Sequence, residues 1–121
     1  MKNPLESKLQ TALLLAAPRE LPDLRLFRRN VGSGQFVDYA GHGRVVQFGI
    51  AGQADLYTIA RGGMHTEVEL KSATGTLSTE QKKWADFCHA WGVPHIVLKA
   101  KKDETVEETV RRWCTELREM R

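Results

Sequence analysis

Asp55-Leu56-Tyr57-Thr58-Ile59-Ala60-Arg61-Gly62-Gly63-Met64-His65-Thr66-Glu67-Val68-Glu69-Leu70-Lys71 is the stretch that decides the fold. Two strand-like runs flank Arg61-Gly62-Gly63, the signature of a hairpin closed by a short glycine-containing loop. Alternate residues of a strand share a face, so Val68 and Leu70 turn toward a core while Glu67, Glu69 and Lys71 turn toward a cleft. His65 is assigned to the face opposite Glu67 and Lys71. Loop length then sets the register. A three-residue loop closing on Ala60 and Met64 puts Asp55 opposite Glu69 on one face of the sheet. A two-residue Gly62-Gly63 turn pairs Asp55 with Leu70 instead, on the wrong face, because a slip of one residue inverts every side chain. We expect the three-residue loop.

An Asp and a Glu brought together with a lysine close by point to metal-dependent phosphodiester hydrolysis. A hard cation stabilises the developing charge and acidifies the attacking water. Mg²⁺ keeps several waters in a near-octahedral shell and needs only one or two protein carboxylates beside the substrate phosphate. Lys71 would hold the water or the phosphate.

These residues and their surroundings resemble the VRR-NUC family of the PD-(D/E)XK nuclease superfamily. The likeness spans most of the chain. It runs from Glu6 through Phe27-Arg28-Arg29-Asn30-Val31-Gly32 and Gly49-Ile50-Ala51-Gly52-Gln53-Ala54-Asp55 to Glu67-Val68-Glu69-Leu70-Lys71 and Leu77-Ser78-Thr79-Glu80-Gln81. The resemblance implies a restriction-endonuclease-like α/β core with a central mixed β-sheet flanked by helices. It further implies that Asp55, Glu69 and the Leu70 backbone carbonyl hold Mg²⁺ or Mn²⁺, that Lys71 is the catalytic lysine, and that Glu6 and Gln81 support the site. The function it points to is a DNA endonuclease of repair or recombination, with branched DNA such as four-way junctions as substrate. A homodimer follows from the same likeness, since cutting both strands asks for two sites. The competing classes are a non-catalytic nucleic-acid-binding module and a repair-complex subnit of the same fold that neither cuts nor binds alone.

Length fits one domain over residues 1–121, long enough to bury a useful core. The 18 Lys and Arg against 15 Asp and Glu give a net charge of +3, too mild alone to demand nucleic acid as a partner. The basic residues gather at Arg25, Arg28 and Arg29, at Lys82 and Lys83, and at Lys99, Lys101 and Lys102, for which a solvated sheet end and phosphate contact are equally open. Arg28, Arg44 and Lys82 are the candidate nucleic-acid contacts; Arg28 and Arg29 point to opposite faces of their strand, so at most one lines the cleft. Cys88 and Cys114 have no partner at zinc-ligand spacing and are expected to be reduced thiols. No apolar run reaches the roughly 20 residues of a membrane span and no signal pattern opens the chain, so a cytoplasmic protein is expected.

Outward from the hairpin, Leu5 to Ala17 has helical spacing at Leu9, Ala12, Leu13 and Ala16, with Pro18 and Pro22 expected to stop it. Leu24 to Val31 reads as a strand ending in a Gly32-Ser33-Gly34 turn, and Arg44 to Phe48 as another strand. The Gly41-His42-Gly43-Arg44 stretch between them reads as a hairpin end. Ser78 to Trp91 is an amphipathic helix with Trp84, Phe87, Cys88 and Trp91 on its apolar side; Trp84 and Trp91 are expected to fill the core under the sheet, with stacking on nucleobases the sharper alternative. Gly92 ends that helix, Pro94 to Leu98 is a buried strand, and Thr105 to Leu117 closes the chain as a helix.

Plainer readings stand beside the functional ones. Ser78-Thr79-Glu80-Gln81 fits a capping box in which Gln81 only satisfies the backbone of Ser78. Glu6 fits a helix start, where a carboxylate meets the positive end of the dipole. Glu67 fits structural pairing with a basic residue rather than a second metal. His42, His65, His89 and His95 lack ligand spacing and read as surface or packed residues.

Overall fold

The hairpin closes as a three-residue loop. Ala60 N–H donates to the Met64 carbonyl at 2.8 Å and Gly63 N–H to the Ala60 carbonyl at 2.9 Å. Gly62 and Gly63 take φ of 92° and 89°, a left-handed conformation in which a side chain would be strained. The strands on either side are β4 (Leu56–Ala60) and β5 (His65–Lys71), paired from Ile59 with His65 to Leu56 with Val68. One further step in that register brings Asp55 against Glu69.

The computed structural model describes residues 4–29 and 32–120, with 32–36 and 46–48 described by backbone alone. Before the hairpin come α1 (Pro4–Glu20), β1 (Leu24–Arg28), β2 (Gly32–Val37) and β3 (Gly43–Phe48); after it come α2 (Thr79–Ala90), β6 (His95–Lys99) and α3 (Val106–Glu119). β1 and β5 both pair antiparallel with β4, and β6 joins β5 in parallel, giving a mixed four-stranded sheet in the order β1-β4-β5-β6. A parallel neighbour requires a crossover, and α2 supplies it.

Residue parity divides the two faces of this sheet. Leu24, Leu56, Val68, Leu70 and Leu98 form one core with Leu9 and Leu13 of α1 and with Val110, Trp113 and Leu117 of α3. Burying each such side chain contributes about 1.5–3 kcal/mol, so this face holds the fold together. The odd-numbered residues of β5 face α2, which is why Thr66 through Leu70 are all buried although the strand alternates polar and apolar. α3 is tied to the end of β6 by Arg112, whose guanidinium donates to Glu104 at 2.7 and 2.8 Å and to the Lys99 carbonyl at 2.8 Å. That guanidinium, beside two backbone and hydroxyl donors, holds the Glu104 carboxyl down to about 2.

Several expectations are corrected. α1 runs through Pro18 to Glu20 rather than stopping before it. Proline removes a single N–H, and Leu21 N–H still reaches the Ala17 carbonyl at 2.8 Å, so a proline this close to the end is tolerated. Gly32-Ser33-Gly34 is not a turn: it belongs to β2, which pairs with β3 from Gly32 with Phe48 to Val37 with Gly43. Asn30 and Val31, the end of the expected first strand, lie outside the described residues. The Gly41-His42-Gly43-Arg44 stretch does end a hairpin, where the Asp38 carboxylate accepts from Ala40 and His42 N–H, both at 2.9 Å. α2 buries Ala85 and Cys88, whereas Trp91 is 75% and Phe87 47% exposed, so the aromatic side of this helix does not fill the core. Cys88 and Cys114 are free and buried in α2 and α3. Among the described residues no helix is long and apolar enough to cross a membrane.

Candidate active site

The β4–β5 ladder ends at Leu56 and Val68, and the candidate site sits just beyond, where the two strands part. Glu69 is its centre. It is 2% exposed and engaged on both carboxylate oxygens. One carboxylate oxygen accepts from the Gln81 amide at 2.8 Å and lies 3.9 Å from the Lys71 ammonium; the other accepts from Asp55 N–H at 3.4 Å. Lys71 follows Glu69 by two residues on the same face, with 12% of its side chain exposed.

Local backbone chemistry brings Asp55 to this point. Gly52 takes φ of 85° in the Ile50–Gln53 turn, where Gln53 N–H donates to the Ile50 carbonyl at 3.0 Å. A Cβ on Gly52 would stand 2.1 Å from the Glu80 carbonyl, so only glycine lets this turn rest against the first turn of α2. Arg29 fixes the other side. Its N–H donates to the Asp55 carbonyl at 2.7 Å and its guanidinium to the Ala54 carbonyl at 3.0 Å.

Gln81 forms the expected capping box and also touches Glu69. Its side-chain oxygen accepts from Ser78 N–H at 2.8 Å while its own N–H donates to Ser78 Oγ at 3.1 Å, a complete capping box. Its amide nitrogen, free in a capping box, is the group that reaches Glu69. Glu6 lies on the buried stripe of α1 with Leu9, Gln10 and Leu13, which aims it inward. Its carboxylate accepts from Ser72 N–H at 3.1 Å, next to Lys71 in the chain. Gly75 makes room for this: a Cβ there would stand 3.1 Å from Glu6 Oε2 and 3.3 Å from Lys71 Cδ.

Glu67 belongs to a different assembly on the same face. At 2% exposure it accepts from both terminal nitrogens of Arg29, at 2.5 and 2.9 Å, from the Trp84 indole at 3.0 Å, and from His65. Burial pushes its carboxyl up, but the hydrogen bonds of Arg29 and His65, the Arg29 charge and the Trp84 indole outweigh burial and hold it below the ordinary value. Glu67 is thus a structural ion-pair centre. The bond to His65 also corrects the assignment of that histidine, since residues 65 and 67 are two apart and must share a face. Burial, and then the charge of Glu67, pushes the Cys88 thiol up, which keeps it a packed thiol rather than a nucleophile.

The expected nucleic-acid contacts divide. Arg28 pairs with Leu56 on the face opposite Asp55 and Glu69, so it does not line this site; the neighbouring Arg29 does, and there it is taken up by Glu67. Arg44 is exposed on the separate β2–β3 sheet, and Lys82 is exposed on α2 next to Gln81. Two basic residues beyond those three also stand here. Arg29 was recognisable only as one of two alternating arginines. Lys99 is the register partner of Lys71 in β6, exposed on the same face; that parallel pairing is not written in local sequence.

The donor types here suit a hard cation: a carboxylate of β5, a carboxylate at the entry to β4 and a backbone carbonyl. Odd residues of β5 bond to the β6 side, as Glu67 N–H to Pro94 and the Lys71 carbonyl to Ala100 show. The Leu70 carbonyl therefore lies on the β4 side, past the last paired couple and facing the same opening. Among the described residues no group of three or more His, Cys, Asp and Glu side chains gathers at ligand spacing, so water and substrate would complete a cation's shell. Comparison with protein-family models and with curated proteins finds no match to this chain.

Proposed function

We propose that this chain is a metal-dependent DNA endonuclease of VRR-NUC type with a restriction-endonuclease-like core. The observation that carries this reading is the contact of Asp55 N–H with the Glu69 carboxylate just beyond the last β4–β5 pair, with Lys71 two residues further along β5 on the face of Glu69. An Asp and a Glu gathered at one end of a sheet would repel each other and the phosphate of a nucleic acid, which makes sense where a cation is to be bound.

Asp55, Glu69 and the Leu70 carbonyl would hold Mg²⁺ or Mn²⁺, which supplies charge stabilisation and a more acidic water when bound. Lys71 presents an ammonium where it can orient the attacking water or neutralise the scissile phosphate. Gln81 keeps Glu69 in one rotamer without adding charge, and Glu6 fixes the chain at Ser72, hence the position of Lys71. Arg29 sets the Ala54-Asp55 backbone. Lys99, beside Lys71, supports phosphate binding next to the reacting group.

The substrate class that suits so small a domain is DNA recognised by shape and backbone, with branched DNA of repair or recombination foremost. Cleavage of both strands would use two copies, so the active form is a homodimer. The test is incubation with labelled four-way junction, flap, single-stranded and linear duplex DNA in Mg²⁺, Mn²⁺ or chelator, beside Asp55→Ala and Lys71→Ala. Cleavage that needs the metal and is lost in both variants is expected. Binding with no cleavage under any condition would make the chain a non-catalytic nucleic-acid-binding module instead.

A further inference from the structure

α2 carries two aromatic rings, those of Phe87 and Trp91, that the core does not bury. Trp84, Phe87 and Trp91 stack along one side of the helix, with ring centroids 5.3 and 5.8 Å apart and planes within 24° and 32° of parallel. The helix packs on the sheet through Ala85 and Cys88 instead. Exposure rises along the stack, from half-buried Trp84 to 47% at Phe87 and 75% at Trp91. Its inner end is rigid, because the Trp84 indole donates to buried Glu67. Its outer end presents the Trp91 ring to solvent.

The stack begins one turn after Gln81, which touches Glu69. Ten residues of helix at 1.5 Å each put Trp91 about 15 Å from Gln81, a span of a few nucleotides. The charge around it suits a polyanion. Glu67 is neutralised by Arg29, and Glu80 is paired with Lys83 at 3.5 Å. Asp86 lies about 100° around the helix from Phe87. Lys99 is exposed beside Lys71, at the end of the path.

We propose that this aromatic stack is a platform for unpaired nucleobases, so that the strand cut at Asp55 and Glu69 is one whose bases are unstacked beside the scissile phosphate. The cutting rests on the nuclease reading; the base binding rests on the stack alone. Aromatic stacking tolerates any base and suits a single strand or the open arm of a branch, and it is unavailable to bases inside a duplex.

The test separates bases from phosphates and needs no catalysis. Binding of an oligothymidine and of an abasic oligodeoxynucleotide of equal length is measured in chelator, for wild type, Trp91→Ala and Trp91→Phe. Trp91→Ala is expected to weaken oligothymidine binding by roughly tenfold and leave abasic binding unchanged, with Trp91→Phe restoring most of the loss. Intrinsic tryptophan fluorescence of the unaltered protein gives a second reading: quenching by oligothymidine, and little by the abasic chain. Equal weakening for both ligands, no weakening for either, or a dimer that Trp91→Ala turns into a monomer would overturn the platform. Absence of metal-dependent cleavage with base-dependent binding intact would count against the nuclease reading alone.

Discussion

Glu67→Gln tests whether the charge that sequence alone leaves ambiguous is a structural centre or a ligand. The carboxylate is 2% exposed and is held by Arg29, Trp84 and His65. Glutamine keeps the shape and one acceptor oxygen but leaves the Arg29 guanidinium, itself 18% exposed, without a counter-charge. Removing one partner of a buried pair costs about 3–5 kcal/mol, and the retained acceptor places this variant near the lower figure. With an unfolding entropy of about 0.25 kcal/mol/K for a chain of this length, the melting temperature should fall by about 12 °C at neutral pH. Adding Arg29→Met should recover part of the loss, because the uncompensated guanidinium is then gone; calorimetry of the four species gives the coupling directly. The pH dependence has a definite sign. Glu67 titrates below its ordinary value of 4.5 in the folded state, so its contribution is complete above that value and fades as pH falls through the lower, folded value. The gap between wild type and Glu67→Gln should therefore be full at neutral pH and close in acid. A fall of less than about 2 °C, or a gap that widens on acidification, would refute this account. Lost cleavage with unchanged melting would instead make Glu67 a metal ligand.

Gly52→Ala forces a Cβ to within 2.1 Å of the Glu80 carbonyl at a φ of 85°, and should cost at least about 2 kcal/mol, read as a melting drop of about 8 °C together with reduced cleavage. Gln81→Ala should lose about 1 kcal/mol of cap stability by denaturant unfolding, while Gln81→Glu restores the cap and still fails to cleave normally, since a carboxylate then faces Glu69. Thr66→Val should stabilise by about 1–2 kcal/mol in thermal unfolding, because the Thr66 hydroxyl is buried with no hydrogen-bond partner among the described residues. Lys71→Ala should fold normally by circular dichroism and lower cleavage by about 10²–10³-fold in single-turnover assays, the scale of removing one preorganised charged donor.

What could be read from the sequence was whatever loop length and strand parity dictate. Arg61-Gly62-Gly63 between two alternating runs fixes Ala60 against Met64, and from that one pair the placement of Asp55 against Glu69 follows without tertiary information. The same parity rule, applied to His65, puts it on the face of Glu67, where the two side chains meet. Other features were not local. Helical spacing shows that Trp84, Phe87 and Trp91 share a side, but not which side the sheet covers, and the sheet takes Ala85 and Cys88. Gly32-Ser33-Gly34 has the composition of a turn, and only its pairing with Val46, Gln47 and Phe48 makes it a strand. Gln81 looked like a choice between cap and site because the cap uses its oxygen and the site its nitrogen, and the second partner comes from a distant strand.

The two faces of β5 explain how a row of charged side chains can be kept in so small a domain. On the even face Val68 and Leu70 join a continuous apolar core that secures α1 and α3. This leaves the odd face free to hold groups that a core would not tolerate. There the charges are arranged in sequence along one strand: Glu67 fully paired and buried, Glu69 buried but held by Gln81 and Lys71, and Lys71 itself reaching the edge. The inner pair locks α2 to the sheet through Trp84, and α2 in turn brings Gln81 to Glu69. Stability and the surroundings of Glu69 are thus coupled through a single helix, whose first turn is seated on Gly52 and whose end carries the exposed Trp91 ring. A change that loosens Glu67 should therefore disturb Glu69 at a distance of two residues, whereas a change at Lys71 should leave the Glu67 network intact.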